Sequence, residues 1–264
     1  MLPSHPPNIY PSPLLRVENL CRNFGGLRAV NQVSFQVQRG EIFGLIGPNG
    51  AGKTTAFNLI TGLIPVSQGN IYLSDRLLTG LAPHQIAAVG VARTFQNIRL
   101  FQDLTVWQNV LLGQHLHLPG GFWANLWQLK PVRVAEYHSQ VKIQSLLDWV
   151  GLGDRPNSLA GTLAYGDQRR LELARALALE PQVLLLDEPA AGMNPNEKKE
   201  LSNLIRRLQR EFDLTIVLIE HHVPLVMGLC DRIAVLDFGE LITVGDPATV
   251  QQNPAVIEAY LGAL

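Results

Sequence analysis

The segment Gly47–Thr54, with the sequence GPNGAGKT, constrains this chain more than any other feature. It fits the pattern GxxxxGK(S/T). It lies between the apolar run Ile42–Ile46, typical of a buried strand, and the helical segment Thr54–Ile60, which Gly62 can end. Glycines allow a tight loop whose amides point inward at anionic oxygens, and the helix directs its N-terminal dipole at the same point. An ordinary glycine turn is the alternative, but the surrounding strand and helix favour a phosphate-binding site.

Two side chains of this loop are suited to a nucleotide. Lys53 can supply positive charge to the β- and γ-phosphates, and the Thr54 hydroxyl can bind Mg²⁺. The predicted nucleotide-binding residues of the loop are Gly47, Pro48, Asn49, Gly50, Ala51, Gly52, Lys53, Thr54 and Thr55. The sequence therefore predicts that the chain binds ATP together with Mg²⁺.

A pair of adjacent carboxylates, Asp187 and Glu188, ends the apolar run Val183–Leu186. Successive strand residues point in opposite directions, so the two groups can have different roles. We expect Asp187 to bind Mg²⁺ and Glu188 to orient or deprotonate an attacking water. An acidic strand end alone is more often a solvated turn. Together with the phosphate loop, it predicts ATP hydrolysis.

Short apolar runs alternate with helical patterns along the chain. The further runs of strand length are Val91–Phe95 and Thr215–Ile219, and the alternation predicts an α/β fold with a mainly parallel sheet. The stretch from about 98 to 163 has no strand signal, so we predict an inserted helical subdomain there. One helical face within it is predicted to consist of Val134, Tyr137, Val141 and Leu146.

Composition and charge argue against several classes of protein. The 264 residues carry a formal net charge of −1, which gives no electrostatic case for a nucleic-acid partner. The basic pair Arg169 and Arg170 is predicted to be part of a solvated helix face. Two cysteines are too few for a disulfide framework and fit a reducing compartment. No apolar run approaches the roughly 18 residues that span a bilayer, so a membrane role must come through partners.

Three further features lie in a fixed order around these motifs. Gln96 and His221 each follow a predicted strand, and the stretch Leu163–Asp167 reads LAYGD. In this order the chain after residue 13 resembles the ABC ATPase family. The resemblance implies a RecA-like P-loop NTPase core with an N-terminal antiparallel β portion and the inserted helical subdomain. Residues 13–264 would form a single ABC ATPase domain, preceded by a flexible Pro-rich tail at 1–12 that lacks the regions of a secretion signal.

The resemblance assigns roles to these residues. Gln96 is the Q-loop residue, which takes part in catalysis and in Mg²⁺ binding, and His221 is the catalytic switch histidine. Phe24 stands where the family stacks an aromatic ring on adenine, and core packing is the alternative for this side chain. The signature residues, which are also expected to contact nucleotide, are Leu163, Ala164, Tyr165, Gly166 and Asp167.

The signature and a later loop depart from the family pattern. The common form LSGGQ is LAYGD here. Ala164 therefore lacks a hydroxyl that would hydrogen-bond the γ-phosphate held by the other subunit, a bond worth roughly 1.5–3 kcal/mol. The Gly166 amide and the start of the predicted helix Gln168–Leu179 remain as anion donors. Asn194 takes the place of the usual D-loop aspartate, so the departures concern coupling between subunits rather than ATP binding.

Four stretches narrow the resemblance to the ATPases of branched-chain and neutral amino-acid importers, to which a urea-uptake branch is related. They read ARTFQNIRLF, LAYGDQRRLELARAL, IEHHVPLVM and NPAVIEAYLG. The resemblance implies a head-to-tail pair of ATPase subunits, identical or different, around two ATP–Mg²⁺. The pair would drive two transmembrane permease subunits, supplied by an extracytoplasmic solute-binding protein, at the cytoplasmic face of the cell membrane.

Two alternative functions have less support. A soluble ABC ATPase that acts on DNA or ribosomes usually has tandem cassettes, long coiled coils or basic arms, and none appears in this sequence. A non-hydrolysing nucleotide sensor would not need an intact set of Lys53, Asp187, Glu188 and His221. The apolar cluster Ile98, Leu100 and Phe101 is expected to dock the permease, or alternatively to pack within the helical subdomain.

Overall fold

The computed structural model describes residues 12–114 and 130–261, and the chain divides into two compact units. One unit takes in Met1–Ala82 and Met193–Leu264, and the other takes in Pro83–Gly192. Almost all of the predicted tail lies outside the described residues, so the tail and the boundaries of the helical subdomain stay predictions. Within the two described ranges, no helix is long and apolar enough to cross a membrane.

The strands in chain order are β1 (Leu15–Phe24), β2 (Leu27–Val37), β3 (Ile42–Ile46), β4 (Gln68–Leu73), β5 (Arg76–Leu77), β6 (Val91–Arg93), β7 (Val183–Asp187), β8 (Thr215–Ile219), β9 (Arg232–Asp237) and β10 (Glu240–Gly245). The helices are α1 (Lys53–Ile60), α2 (Pro83–Ala88), α3 (Val106–Gln114), α4 (Lys130–Trp149), α5 (Tyr165–Leu177), α6 (Pro195–Glu211), α7 (Val223–Leu229), α8 (Pro247–Gln251) and α9 (Pro254–Leu261).

The first unit contains two groups of strands. An antiparallel sheet has the order β2-β1-β4-β5. In the other group β3 pairs in parallel with both β8 and β9, and β10 pairs with β9 in the antiparallel sense. Every residue of β3 and β8 is buried, as expected for parallel strands covered on both faces. The predicted α/β class with an N-terminal antiparallel portion is confirmed.

The second unit pairs β6 with β7 in parallel, and β6 is shorter than the sequence suggests. The apolar run Val91–Phe95 predicts a strand of five residues, whereas β6 ends at Arg93. The backbone N–H of Thr94 still donates to the Leu185 carbonyl of β7 at 2.9 Å, whereas the N–H of Phe95 donates to the Glu172 carboxylate of α5 at 3.3 Å. The chain therefore leaves the sheet before Gln96.

Two helices differ from the predictions, one in where it begins and one in which face is buried. Helix α5 begins at Tyr165, with Ala164 as N-cap, so Gly166 and Asp167 belong to its first turn. In α4, Leu146 is buried as predicted but Val141 is exposed, because the buried face runs through Ile143 and Leu146. The side chains of Val134 and Tyr137 lie outside the described residues.

Candidate functional site

The phosphate loop connects β3 to α1, and its backbone requires glycine at two positions. Gly47 has φ 151° and Gly52, the N-cap of α1, has φ 95°. A Cβ atom at Gly47 would overlap the carbonyl oxygen of Leu236, and one at Gly52 would overlap that of Ala29. Side chains are therefore excluded at both ends of the loop, which lets its amides turn toward one point at the N-terminus of α1.

Lys53 is the first residue of α1, and its side chain runs under the loop. It is only 5% exposed, and Nζ donates hydrogen bonds of 2.8 Å to the carbonyl oxygens of Gly47 and Pro48. The neighbouring Thr54 is exposed and Thr55 is half-buried. The structure thus fixes the lysine cation against the loop and leaves the Thr54 hydroxyl accessible.

Phe24 lies at the end of β1, in a hairpin that touches the phosphate loop. It pairs with Leu27 at the start of β2, and the Ala29 carbonyl on the same strand lies against Gly52. The ring is 45% exposed, and the guanidinium of Arg22 lies 4.6 Å from its centre. This exposure argues against the core-packing alternative and favours a ring that can stack on a base.

The two carboxylates at the end of β7 have different partners. Asp187 is buried, and its Oδ2 accepts a 2.8 Å hydrogen bond from the Arg93 guanidinium on β6. Glu188 accepts a 2.6 Å hydrogen bond at Oε2 from Nε2 of Gln96. The structure therefore brings together Gln96 and Glu188, which the sequence separates by about ninety residues. Arg93 carried no signal that would have singled it out.

Glu188 also has an unusual backbone. Its φ is 48°, in the left-handed region that disfavours residues with a Cβ atom. Such a conformation costs about 1–2 kcal/mol for a single residue and is concentrated at functional sites. No sequence pattern indicates this strain, because glutamate has no special preference for the left-handed region.

The signature residues form the start of α5. Leu163 is buried, whereas Ala164, Tyr165 and Gly166 are exposed. The first amides of a helix have no partner within the helix, and the Ala164 side chain offers them no acceptor. The Asp167 carboxylate pairs with Arg155 at 3.0 Å and with Arg170 at 3.5 Å, so its negative charge is largely offset near this helix start.

The remaining predicted positions lie in the first unit. His221 is exposed after β8, and its backbone N–H donates to the buried Glu220 carboxylate at 3.1 Å. The neighbouring His222 caps α7, because its Nδ1 accepts from the backbone N–H of Leu225.

Asn194 caps α6 in a reciprocal pair of hydrogen bonds with Glu197. An aspartate at 194 would supply the same capping oxygen.

The sequence did not indicate a role for two residues of α5, Arg169 and Glu172, and it predicted the wrong exposure for Arg169. Arg169, predicted to be solvated, is only 7% exposed, whereas Arg170 is exposed as expected. The buried Arg169 pairs with Glu172, which is 2% exposed. The spacing of three residues on a helix is compatible with such a pair, but it gives no sign that both charges are buried.

The comparisons with known proteins agree with this arrangement of motifs. Residues 30–191 match a family model described as ABC transporter, and residues 240–263 match one described as branched-chain amino acid ATP-binding cassette transporter. The high-affinity branched-chain amino acid transport ATP-binding protein LivG of Salmonella typhimurium is 48% identical over 250 residues, covering 95% of this chain and 98% of the relative.

Two further relatives span the same length. The high-affinity branched-chain amino acid transport ATP-binding protein BraF of Pseudomonas aeruginosa is 46% identical and covers 95% of this chain and 98% of its own. A crystal structure of an ATP-binding cassette of an ABC transporter, in its ADP conformation, superposes with a TM-score of 0.80 at 29% identity, covering 95% of this chain and 99% of that one. The chain belongs to the ABC transporter family.

Proposed function

We propose that this chain is the ATP-binding and ATP-hydrolysing subunit of an importer for branched-chain or neutral amino acids. The observation that carries the proposal is the similarity, at 46–48% identity and nearly full coverage, to two proteins named as branched-chain amino acid transport ATP-binding proteins. The match of residues 240–263 to a family model with the same specificity supports it independently of the nucleotide motifs.

The nucleotide is proposed to bind through the phosphate loop. The loop amides and Lys53 hold the β- and γ-phosphates, because a buried cation and convergent N–H groups stabilise anionic oxygens strongly. Phe24 stacks on the adenine. The start of α5 contacts the nucleotide held by a second subunit, and this contact completes a head-to-tail pair. The residues proposed for it are Leu163, Ala164, Tyr165, Gly166 and Asp167.

The chain offers oxygen donors that suit Mg²⁺, which favours oxygen ligands and usually takes one or two carboxylates beside substrate phosphates. The proposed donors are the Asp187 carboxylate, which Arg93 orients, the hydroxyl of the exposed Thr54, and the side-chain amide oxygen of Gln96. When bound, Mg²⁺ neutralises charge on the phosphates.

Hydrolysis is proposed to depend on Glu188. This carboxylate accepts the proton of the attacking water, and Gln96 holds it in place through the 2.6 Å hydrogen bond. His221, exposed after β8, assists as the switch histidine. The chain acts at the cytoplasmic face of the membrane on two transmembrane permease subunits, which an extracytoplasmic binding protein supplies with solute.

The test of this function is solute uptake by cells from which the chain has been deleted. We expect loss of high-affinity uptake of radiolabelled leucine, isoleucine and valine, restored by the parental chain but not by Lys53→Ala. Loss of urea uptake alone would show that the chain serves a urea importer instead. Unchanged uptake of every amino acid and of urea would favour a soluble, non-transport ATPase and overturn the proposal.

The segment after Gln96 is proposed to dock a permease, and the structure narrows the surface that can do so. Leu100 is buried and belongs to the core of its unit, which matches the packing alternative for this residue. Ile98 is half-buried, and Phe101 is 55% exposed with the Arg175 guanidinium 5.9 Å from its ring. Phe101 is therefore the main candidate for contact.

We expect Phe101→Glu to lower the amount of permease that co-purifies with the chain from membranes by about tenfold, because a buried aromatic anchor contributes 1–2 kcal/mol or more to an interface. ATP binding by the purified chain should not change. Phe238→Glu, which alters an exposed ring of the other unit, serves as the control. Undiminished co-purification of Phe101→Glu would rule out this surface.

A further inference from the structure

Two buried charges on α5, Arg169 and Glu172, lie beside the segment that carries Gln96. They form an ion pair of 3.3 Å, and each is less than a tenth exposed. Burial raises the pKa of Glu172, while Arg169 and two backbone amides lower it, so the carboxylate depends on these partners for its charge. A buried ion pair is seldom more stabilising than apolar side chains of similar volume. Stability alone therefore does not account for this pair.

The pair satisfies both backbone carbonyl and backbone N–H groups within residues 95–99. Arg169 donates to the carbonyl oxygens of Phe95 at 2.7 Å and Gln96 at 2.5 Å. Glu172 accepts from the backbone N–H groups of Phe95 at 3.3 Å and Arg99 at 3.4 Å. This segment has no regular secondary structure, so these side chains replace the bonds that a strand or helix would supply.

The same guanidinium reaches the signature. Arg169 donates to the Tyr165 hydroxyl at 3.0 Å, one turn earlier on α5. A single side chain thus contacts the exposed start of α5 and the backbone of Gln96. Gln96 in turn donates to Glu188 at 2.6 Å.

We propose that Arg169 and Glu172 are positioning residues, which hold the backbone of residues 95–99 on α5 and thereby set where Gln96 meets Glu188. The role rests on the proposed ATPase function, because it acts through Glu188. Displacement of α5 relative to this segment would change the Gln96–Glu188 hydrogen bond. The position of the signature is therefore coupled to the orientation of the catalytic carboxylate.

The first variant is Arg169→Lys, which keeps the charge that Glu172 needs but cannot hold two carbonyl oxygens with a planar fork. The assay uses the complex purified from membranes through this chain. We expect kcat for ATP to fall about 10- to 100-fold with KM little changed, because small misplacements of catalytic groups cause losses of this size. Arg170→Lys, on the exposed face of the same turn, should behave as the parent.

A structural role alone would also lower activity, so two further readouts are needed. Combining Arg169→Lys with Gln96→Ala should lower kcat no further than Gln96→Ala alone, because both act through one contact. In the full chain, amide hydrogen exchange of a peptide covering residues 94–100 should accelerate in Arg169→Lys and not in Arg170→Lys. If Arg169→Lys does not fold, the apolar pair Arg169→Met with Glu172→Leu provides the same test without a buried unpaired charge.

The outcomes separate this role from the proposed function. Parental kcat in the folded variants, additive losses with Gln96→Ala, or unchanged exchange at residues 94–100 would each overturn the positioning role while leaving Glu188 as the catalytic base. A parental complex with no ATP turnover would overturn the proposed function, and the positioning role would fall with it.

Discussion

Replacing Lys53 with alanine is expected to weaken ATP binding by about 100-fold or more. Hydrogen bonds to charged groups contribute roughly 1.5–3 kcal/mol each, and Lys53 is expected to bind two phosphates. Because about 1.4 kcal/mol corresponds to a tenfold change in affinity, the loss of both contacts gives the expected factor. The loss has a second source, because the same ammonium donates to the Gly47 and Pro48 carbonyls and so shapes the loop.

The measurement is equilibrium titration of the purified chain with ATP and Mg²⁺. Lys199→Ala, which removes an exposed lysine of α6, is the matched control and should retain parental affinity. Equal affinity of Lys53→Ala and the parent would remove Gly47–Thr54 as the phosphate site.

Glu188→Gln is expected to bind ATP as well as the parent and to hydrolyse it at least about 100-fold more slowly. General-base catalysis contributes about 10²–10⁴ in rate, and an amide is a far poorer proton acceptor than a carboxylate. The substitution preserves the shape of the side chain, and its amide oxygen can still accept the hydrogen bond from Gln96. The loss therefore reports on charge and basicity rather than on packing.

With hydrolysis blocked, the ATP that joins two subunits persists, so Glu188→Gln should also accumulate an associated pair. The absent hydroxyl at Ala164 weakens the contact across the pair, and the permease or the second ATPase subunit is expected to reinforce it. The assay is ATP turnover together with size-exclusion chromatography in Mg²⁺–ATP, with the partner ATPase present and Glu200→Gln as control. Near-parental turnover would exclude Glu188 from the chemistry. Lost turnover without association would keep the catalytic role and refute the head-to-tail pair.

The parts of this molecule that sequence predicts well are those set by local pattern. Gly47–Thr54 could be placed between a strand and a helix because its glycines, its lysine and the flanking apolar runs each act within a few residues. Strand β8 agrees with its apolar run at both ends for the same reason.

The features that sequence did not predict depend on partners far along the chain. Just beyond β6, the backbone N–H of Phe95 donates to Glu172, about eighty residues later. Arg169 is buried because the carbonyl oxygens of Phe95 and Gln96 lie next to it, and Val141 is exposed because its helix turns another face inward. Periodicity cannot distinguish a charge that finds buried acceptors from one that faces water.

The left-handed backbone of Glu188 sets the demands of folding against those of catalysis at this position. A glycine at this position would relieve about 1–2 kcal/mol of strain but would remove the carboxylate. Selection for folding alone would therefore favour replacement of this residue, whereas selection for turnover opposes it. A descendant that kept the fold but served only as a scaffold would be expected to lose the glutamate early. A glutamate held at φ 48° is the outcome expected where selection for chemistry outweighs selection for folding.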